Sequence, residues 1–161
     1  MNVNTGWQDL LWPLLVKFEG FREKPYQDQG GTWTIGYGST FDLSGKPVSP
    51  NTPAVDRDMA RKLAQKAVDA AYETVCALIG PDLTPGQMAA LVDFVYNEGR
   101  GRLLSSTLRK KALVNDMAGA AAEFPKWNLV GGKVSSWQVK RRAAEVALWL
   151  QGVPPVVPAA A

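Results

Sequence analysis

The sequence predicts an α+β protein that is mostly helical, with two lobes joined by a long helix. Three observations predict this fold class. Small or polar residues alternate with large apolar ones over residues 32–37, a pattern typical of a β-strand. Apolar residues recur at helical spacing from residue 53 to residue 80. Helix start signals and apolar runs then follow one another from residue 84 to residue 150, which indicates a C-terminal helical bundle.

The first predicted element is a helix that ends near Glu19. An apolar run over residues 14–18 leads up to Glu19, and Gly20 follows it. Glycine is the residue most often found just past a helix end. Glu19 is therefore expected in the last turn of this helix.

A small antiparallel β-hairpin is expected after the first helix. Asp28, with Gly30 and Gly31 after it, suits a turn that needs side-chain hydrogen bonds and positive φ angles. The alternating strand that comes next places Thr34 on its polar face. A helix end, a turn and a strand thus each present one oxygen-bearing side chain, from Glu19, Asp28 and Thr34.

The long connecting helix is expected over residues 53–80. Thr52 suits the N-cap and Pro53 suits the first helical position. At the standard rise, roughly 27 residues would extend about 40 Å, which is longer than one small lobe. We expect this helix to connect an N-terminal lobe (residues 1–52) to a C-terminal helical lobe (residues 81–151).

The C-terminal lobe begins with a strong helix signal. Thr84, followed by Pro85 and Gln87, predicts a capping box, and the residues after it are apolar nearly all round, as in the middle of a bundle. Further helices are expected over residues 103–113, over residues 116–124 with Asn115 as cap, and over residues 136–150. Residues 152–161 are too rich in proline to pack as an element and are expected to form a flexible tail.

The composition excludes several kinds of site. The 161 residues include no histidine, which removes His-dependent triads and nearly all zinc sites. The sequence also has no Gly-rich phosphate loop and no metal-ligand cluster, so no metal or other cofactor is expected. The single cysteine, Cys76, cannot form an internal disulfide, which fits a reducing compartment. No apolar run is long enough to span a bilayer, and we expect neither a signal peptide nor a signal anchor. Any acid-base chemistry must therefore be carried by carboxylates.

Basic residues are concentrated in the C-terminal half. Residues 84–161 hold 10 Lys and Arg against 5 Asp and Glu, while the whole chain has a net charge of +3. A mildly basic surface suits an anionic polymer, a bacterial envelope or nucleic acid equally well, so charge alone selects no partner.

The environments predicted for Glu19 and Asp28 suit a division of labour in glycoside hydrolysis. This reaction needs one carboxylic acid that stays protonated and one carboxylate that stays ionised. Glu19 would meet the negative end of the helix dipole beside the apolar Phe18 and Phe21, which favours the neutral acid. Asp28 would receive backbone N–H donors, which favours the carboxylate. Thr34 could hold a water molecule against Asp28, and attack from the face opposite Glu19 would invert the configuration.

Each of these three residues also has an ordinary structural interpretation. A glutamate at a helix end is usually solvated, an aspartate near Gly-Gly usually forms a turn, and a threonine on a strand usually reflects β propensity. The spacing alone leaves these interpretations open.

The residues that follow Thr34 make the spacing more specific than it is alone. Glu19, eight residues, Asp28, five residues and Thr34 are followed directly by Ile35-Gly36-Tyr37-Gly38. This pattern resembles the catalytic signature of the phage lysozymes (endolysins) of glycoside hydrolase family 24, of the T-even phage lysozyme type. The resemblance covers roughly residues 10–151. It continues through the segments LTPGQ (83–87), FVYNEG (94–99), STL (106–108), AEFPKW (122–127), GGK (131–133) and RRAAE (141–145).

The resemblance implies a lysozyme-like fold and a muramidase activity. The bond cleaved would be the β-1,4 bond between N-acetylmuramic acid and N-acetylglucosamine in bacterial peptidoglycan, for host cell lysis. By this similarity, Glu19 is the proton donor, Asp28 the base that activates water and Thr34 its helper. The C-terminal lobe is implied to supply a cation beside Glu19, with Arg141 favoured among Lys140, Arg141 and Arg142.

Three further positions match residues that line the saccharide cleft in the family. These are Gly38, Tyr96 and Asn97. For Asn97, the alternative is an amide that caps or tethers the loop near Gly99.

Two places depart from the family pattern. Ser39 stands where many relatives have His or Arg, so an ion pair from that position is absent. Trp137, Gln138 and Val139 stand where many relatives read Gly-Leu-Val, so the local packing is expected to differ there.

An endolysin of this kind implies a particular route and particular partners. It would accumulate in the host bacterial cytoplasm and then act in the periplasm on the cell wall, after a holin opens the inner membrane. We expect a monomer without stable membrane insertion. A non-catalytic envelope-binding or membrane-disrupting protein on the same fold is the alternative. A nucleic-acid binder that uses residues 100–111 and 140–142 is not supported, because no interleaved surface aromatics or docking motif accompany them.

Overall fold

The computed structural model describes residues 6–151 of the chain, and the predicted tail at residues 152–161 lies outside them. Within the described part, seven α-helices, one short 3-10 helix and two β-hairpins confirm the mostly helical α+β fold class. In chain order they are α1 (Trp7–Glu19), β1 (Arg22–Gln27), β2 (Trp33–Gly36), α2 (Arg57–Leu78), α3 (Pro85–Glu98), α4 (Arg100–Ser105), α5 (Thr107–Leu113), α6 (Met117–Ala121), the 3-10 helix (Phe124–Lys126), β3 (Leu129–Val130), β4 (Lys133–Val134) and α7 (Ser136–Trp149).

Helix α1 ends where the sequence predicts. Glu19 is its last residue, and Gly20 follows with a φ angle of 66° while its N–H donates to the carbonyl of Val16 at 3.1 Å. The apolar side of α1 packs against α3 and α7, and its residues Trp7, Leu11 and Leu15 belong to the main hydrophobic core. The end of the first helix is therefore fixed against the last one.

The hairpin of β1 and β2 forms as predicted, but Thr34 does not lie on an exposed polar face. The strands are antiparallel, and Tyr26 pairs with Thr34. Both sides of β2 are covered, because Ile35 packs with residues of the loop and of α2, and a Cβ at Gly36 would lie 2.9 Å from that of Ala60. Thr34 is consequently only 4% exposed.

Helix α2 begins later than predicted, at Arg57. The side chain of Thr52 closes a turn instead of capping the helix, since its hydroxyl accepts a hydrogen bond from the N–H of Ser49 at 2.9 Å. The N–H of Val55 donates to the carbonyl of Glu23 in β1 at 2.9 Å, which keeps this stretch extended. Asp56 supplies the cap, accepting from the N–H of Met59 at 2.7 Å. The helix has 22 residues, which corresponds to about 33 Å.

Helix α3 is the centre of the structure, as its apolar sequence predicts. The capping box is present, with Gln87 N–H donating to the Thr84 hydroxyl at 3.2 Å and Thr84 N–H donating to the Gln87 side chain at 3.0 Å. Every residue from Gly86 to Val95 is buried, and the helix packs against α1, α2 and α7. Gly86 allows the close approach to α7, because a Cβ there would overlap the carbonyl oxygen of Leu148.

The short helices differ in detail from the prediction. The stretch 103–113 forms two helices, since the hydroxyl of Ser106 caps α5 by accepting from the N–H of Arg109 at 3.0 Å. Asp116, and not Asn115, caps α6, accepting from the N–H of Gly119 at 2.9 Å. Asn115 has a left-handed φ angle of 59°, which a cap residue does not need.

A second hairpin, β3 with β4, was not predicted. Gly131 and Gly132 form its two-residue turn with φ angles of 57° and 78°. A Gly-Gly pair between apolar residues is a recognised hairpin signal, so the sequence contained the information. The hairpin leads directly into α7, whose observed bounds agree with the predicted helix to within one residue. None of the helices described over residues 6–151 is long and apolar enough to cross a membrane.

Candidate active site

Glu19 and Asp28 line one cavity of about 470 Å³. The cavity lies where the end of α1, the β1–β2 turn, the end of α3 and the start of α7 meet. Asn97 and Arg141 line it as well, so four of the predicted site residues share it. The remaining lining residues are Phe18, Gln29, Gly30, Val130, Ser135, Trp137 and Gln138.

The Glu19 carboxyl is partly buried and closely enclosed. Its side chain is 19% exposed, and its Oε1 accepts a hydrogen bond from Nη1 of Arg141 at 2.6 Å. Gly38, with a φ angle of 82°, lies against the other oxygen, because a Cβ at that position would be 2.8 Å from Oε2. Burial raises the pKa of Glu19 above its usual value, and the charge of Arg141 opposes that rise. The environment therefore favours the protonated acid. The cause is burial, as expected from the apolar residues next to Glu19 in the sequence.

Arg141 is held from behind by a buried carboxylate. Its Nε and Nη2 both donate to Asp93 at 2.8 Å, in the two-pronged geometry that suits a guanidinium and a carboxylate. Arg141 is 3% exposed and Asp93 is fully buried. Of the three cations considered from the sequence, Arg141 is the one that contacts Glu19, while Lys140 is exposed. Asp93 thus fixes the position from which Arg141 binds Glu19.

Arg142 points to a different set of partners. Its Nη2 donates to Oδ1 of Asn97 at 2.9 Å and lies 2.8 Å from Oε1 of Glu145, and its Nη1 lies 3.5 Å from Glu98. Because a guanidinium can only donate, the amide oxygen of Asn97 must face Arg142. The amide NH₂ of Asn97 is then not used by Arg142, on a residue that lines the cavity. The position of Asn97 at the end of α3 comes from Arg142, and not from a tether to Gly99.

Asp28 organises the β1–β2 turn. Its Oδ1 accepts from the N–H groups of Gly30 and Thr32, both at 2.9 Å, as the turn chemistry of the sequence predicts. Both of these bonds use the same oxygen, which leaves Oδ2 for a ligand or a water molecule. Asp28 is exposed, in contrast to Glu19.

Thr34 is not among the residues that line the cavity. It is paired with Tyr26 on the neighbouring strand β1, and its hydroxyl donates to the Tyr26 carbonyl at 3.4 Å. Since that bond uses the hydroxyl hydrogen, the oxygen lone pairs remain available to accept a hydrogen bond.

Gly38 and Tyr96 line a smaller neighbouring cavity of about 190 Å³. The hydroxyl of Tyr96 donates to the carbonyl of Tyr37 at 2.6 Å, and burial raises its pKa, so it stays a neutral donor. Gly38 also lies against the carboxyl of Glu19, which lines the larger cavity.

A third cavity of about 480 Å³ is lined by Glu123, whose environment differs from that of Glu19. Glu123 in its wall lies 2.8 Å from Nζ of Lys111 and 2.9 Å from Nζ of Lys126. Hydrogen bonds from these two lysines lower the pKa of Glu123. The surroundings of Glu123 therefore favour its ionised form, whereas burial of Glu19 favours the protonated acid.

The residues that the sequence analysis missed form the buried layer behind Glu19. Asp93 interrupts a helix that is otherwise apolar all round, and such a carboxylate must find a partner, which was an available signal. Glu145 is fully buried on α7. Burial raises the pKa of Glu145 well above its usual value, and the nearby charge of Asp93 adds to the rise. A protonated Glu145 can donate a hydrogen bond to Asp93, which also accepts two hydrogen bonds from Arg141.

Replacing Glu145 by Gln is expected to flatten the dependence of stability on pH. Because the folded-state pKa of Glu145 is raised, its contribution to stability is fully present below the unfolded-state pKa of 4.5 and is lost as pH rises through the folded-state pKa. Gln cannot titrate but can still donate to Asp93. Thermal melts between about pH 5 and pH 8 should show a steeper loss of melting temperature for the original protein than for Glu145→Gln.

The exposed Glu73 on α2 provides the control. Glu73→Gln should keep the original pH dependence of stability. Glu19 is present in all three proteins, so its own contribution to the pH dependence is the same in each and does not affect the comparison. Equal slopes for Glu145→Gln and the original protein would show that Glu145 is charged in the fold.

No group of three or more Asp, Glu or Cys side chains within residues 6–151 is arranged to hold a metal ion. The cavity around Glu19 presents a partly buried acid, the exposed side chain of Asp28, the amide of Asn97 and the guanidinium of Arg141.

Comparison with known proteins places the chain in a family. Residues 16–145 match the family described as phage lysozyme. The endolysin of Bacillus phage B103 is 40% identical over 86% of the chain, and the matched region is 52% of that relative, so the chain spans about half of its length. The structure of the endolysin from Escherichia coli O157:H7 phage FAHEc1 is 28% identical, with a TM-score of 0.79 over 96% of this chain and 97% of that one. The muramidase domain of SpmX from Asticaccaulis excentricus is 29% identical, with a TM-score of 0.74 over 86% of this chain and 92% of that one.

Proposed function

The chain belongs to the phage lysozyme family, and on this basis we propose that it is an endolysin that hydrolyses bacterial peptidoglycan. The bond cleaved is the β-1,4 bond between N-acetylmuramic acid and N-acetylglucosamine. One observation carries the proposal above the others: a partly buried Glu19, whose pKa is raised, shares a cavity with the exposed Asp28. Two carboxyl groups in such different surroundings suit an acid and a base.

Glu19 acts as the general acid in this proposal. Its burial favours the protonated form, and Gly38 leaves room for Oε2 to face the cavity. Arg141 fixes the other oxygen, so the proton is presented in one direction. As the glycosidic bond breaks, the leaving oxygen takes this proton, and the carboxylate that forms is stabilised by the Arg141 charge.

Asp28 acts as the general base, through a water molecule. Its Oδ1 is committed to the backbone of the turn, which leaves Oδ2 to accept a hydrogen from the water. The water attacks the anomeric carbon from the face opposite Glu19, and the product has the inverted configuration. This mechanism requires a gap of about 6.5–9.5 Å between the two carboxyl groups, wide enough to admit the water.

Thr34 has the role of second acceptor for the same water. Its hydroxyl hydrogen is used by the Tyr26 carbonyl, so the oxygen can only accept. A water that donates one hydrogen to Asp28 and the other to Thr34 has its lone pairs free for the anomeric carbon. The pair of acceptors therefore sets the direction of attack.

Replacing Thr34 by Val is expected to lower kcat by about 10- to 100-fold with little change in KM, because a misplaced nucleophile affects the chemical step more than binding. Thr34→Ser keeps the hydroxyl and should retain most of the activity. Steady-state rates on purified peptidoglycan fragments, with thermal melts to confirm folding, measure both variants. A folded Thr34→Val enzyme with the original kcat would remove Thr34 from the mechanism.

The saccharide is proposed to contact Gly38, Tyr96 and Asn97. Gly38 and Tyr96 belong to the smaller cavity next to Glu19, and Asn97 presents its amide NH₂ at the end of α3. A chain of sugars that passes Glu19 would extend into both cavities, because Gly38 of the smaller one lies against Glu19 of the larger one.

The test of the proposed function combines turbidity with product analysis. The purified protein should clear a suspension of bacteria whose outer membrane has been stripped, and mass spectrometry should find muropeptides that end in reducing N-acetylmuramic acid. Anhydro-muramic products would identify a lytic transglycosylase instead. Clearing without released muropeptides would point to the non-catalytic alternative, which the family membership does not favour.

The biological setting is part of the same proposal. We infer that the protein is monomeric, accumulates in the host cytoplasm and reaches the cell wall after a holin opens the inner membrane. The division into an N-terminal lobe at residues 1–52, a connecting helix and a C-terminal lobe at residues 81–151 is proposed as well, with the helix itself at Arg57–Leu78. Sedimentation of the purified protein and co-expression with a holin would test the oligomeric state and the route.

A further inference from the structure

Trp137 is an exposed tryptophan in the wall of the cavity that contains Glu19 and Asp28. It lies in the first turn of α7 and is 47% exposed. All six tryptophans fall within the described residues, and Trp137 is the one among them that is exposed. An apolar surface of this size facing a polar cavity needs an explanation, because large exposed aromatic faces commonly mark binding sites.

The ring of Trp137 is held in a fixed orientation. Its Nε1–H donates to the carbonyl of Phe18 at 3.1 Å, and its ring packs against that of Phe18 with centroids 5.1 Å apart at 62°. One edge of the indole is therefore anchored to the end of α1, next to Glu19. A ring that is already oriented loses little conformational freedom when a ligand binds to it.

Gln138 adds a polar group to the same wall. It follows Trp137 in the chain and also lines the cavity. Its Oε1 is buried and has no hydrogen-bond partner among the described residues. A buried acceptor without a donor is costly, and a ligand N–H or O–H would satisfy it once the side chain turns toward the cavity that Gln138 lines.

We propose that Trp137 and Gln138 form a saccharide-binding platform for a 2-acetamido sugar beside the reacting bond. The flat, largely C–H face of the pyranose ring lies on the indole, and Gln138 accepts a hydrogen bond from the acetamido N–H or from a hydroxyl. A 2-acetamido sugar fits because it combines an apolar ring face with an amide donor. The inference rests on the proposed function and adds to it the residues that select the sugar.

Binding to a protein that cannot cleave tests the platform. Tetra-N-acetylchitotetraose is titrated by calorimetry into Glu19→Gln, alone and combined with Trp137→Phe, Trp137→Leu or Gln138→Leu. Trp137→Leu should weaken binding about tenfold, and Gln138→Leu by about fivefold, whereas Trp137→Phe keeps an aromatic face and should stay within about threefold. The matched control is Leu104→Ala, since Leu104 is also 47% exposed but lines none of the cavities described.

Two results for the Trp137 variants would overturn the platform. If Trp137→Leu binds as tightly as Leu104→Ala, the indole does not contact the sugar. If Trp137→Phe and Trp137→Leu lose affinity equally, the hydrogen bond to Phe18 matters and the aromatic face does not. Should Trp137→Leu fail to fold, Gln138→Leu still tests the proposal, and binding as tight as that of Leu104→Ala would count against it.

The failure of the platform and the failure of the proposed function give different results. Release of reducing ends by the original protein tests the function alone. If the original protein releases none while the chitotetraose titration depends on Trp137, the platform stands and the hydrolase assignment falls. If it cleaves peptidoglycan and the Trp137 variants keep the original KM, the assignment stands and the platform falls.

Discussion

A Glu19→Gln variant is expected to keep its fold and to lose the proposed muramidase activity by at least about a thousandfold. General acid catalysis typically contributes 10²- to 10⁴-fold. Because Glu19 is partly buried, water is not expected to replace it as the proton donor. Gln has nearly the same shape as Glu, and its oxygen can still accept the hydrogen bond from Arg141. It has no proton to give to the leaving oxygen. Release of reducing ends from peptidoglycan, measured beside a thermal melt, separates the loss of chemistry from a loss of structure.

The control for this variant is Glu23→Gln. Glu23 lies on β1, is exposed and lines none of the cavities described. It should retain the original rate. A folded Glu19→Gln protein that keeps more than about a tenth of the activity would contradict the assignment of Glu19 as the acid.

Replacing Arg141 by Met is expected to destabilise the fold by about 3–5 kcal/mol, the usual effect of removing one partner of a buried ion pair. Asp93, which is fully buried, would lose the two hydrogen bonds that compensate its charge. Denaturation by urea, analysed by linear extrapolation, measures the change. A loss below about 1 kcal/mol would mean that Asp93 finds another partner or takes up a proton.

The same variant should move the pH dependence of any residual activity. The charge of Arg141 opposes the rise in the pKa of Glu19, so its removal favours the protonated acid further. Activity is lost when the acid ionises, and the alkaline side of the pH profile should therefore shift to higher pH.

A double variant separates the two effects of Arg141. Arg141→Met with Asp93→Asn removes both charges, so most of the lost stability should return. The activity should not return, because Glu19 would still lack the cation that orients it. Recovery of both properties together would show that Arg141 acts on the site only through the fold.

Much of the fold follows from local signals in the chain. The end of α1 at Glu19, the capping box of Thr84 and Gln87, and the turn at Asp28 depend on residues within four positions of each other, and all three are observed. Where the prediction was wrong, a distant contact decided the outcome. Thr52 and Pro53 have the chemistry of a helix start, but the bond from Val55 to Glu23 in β1 delays α2 to Arg57.

The two carboxyl residues of the candidate site could be predicted from the sequence, but the buried residues that support Glu19 were harder to predict. Glu19 and Asp28 could be selected because the absence of histidine left carboxylates as the only acid-base groups, and their spacing matched a known family. Asp93 and Glu145 lie far from them in the sequence, and their role depends on how α3 packs against α7. The buried position of Thr34 depends on the cover provided by other elements, which the alternation of a four-residue strand does not reveal.

The contacts around Glu19 also constrain when the protein becomes competent during its synthesis. Arg141 reaches Glu19 across 122 positions of the chain, and Trp137 reaches Phe18 across 119. Translation proceeds at about 5–20 residues per second, so on the order of ten seconds pass between the synthesis of the two partners. A nascent chain therefore carries Glu19 without its cation until α7 has left the ribosome. If the proposed function holds, chains that stall before Ser136 are expected to be inactive, because they lack α7 and with it Arg141.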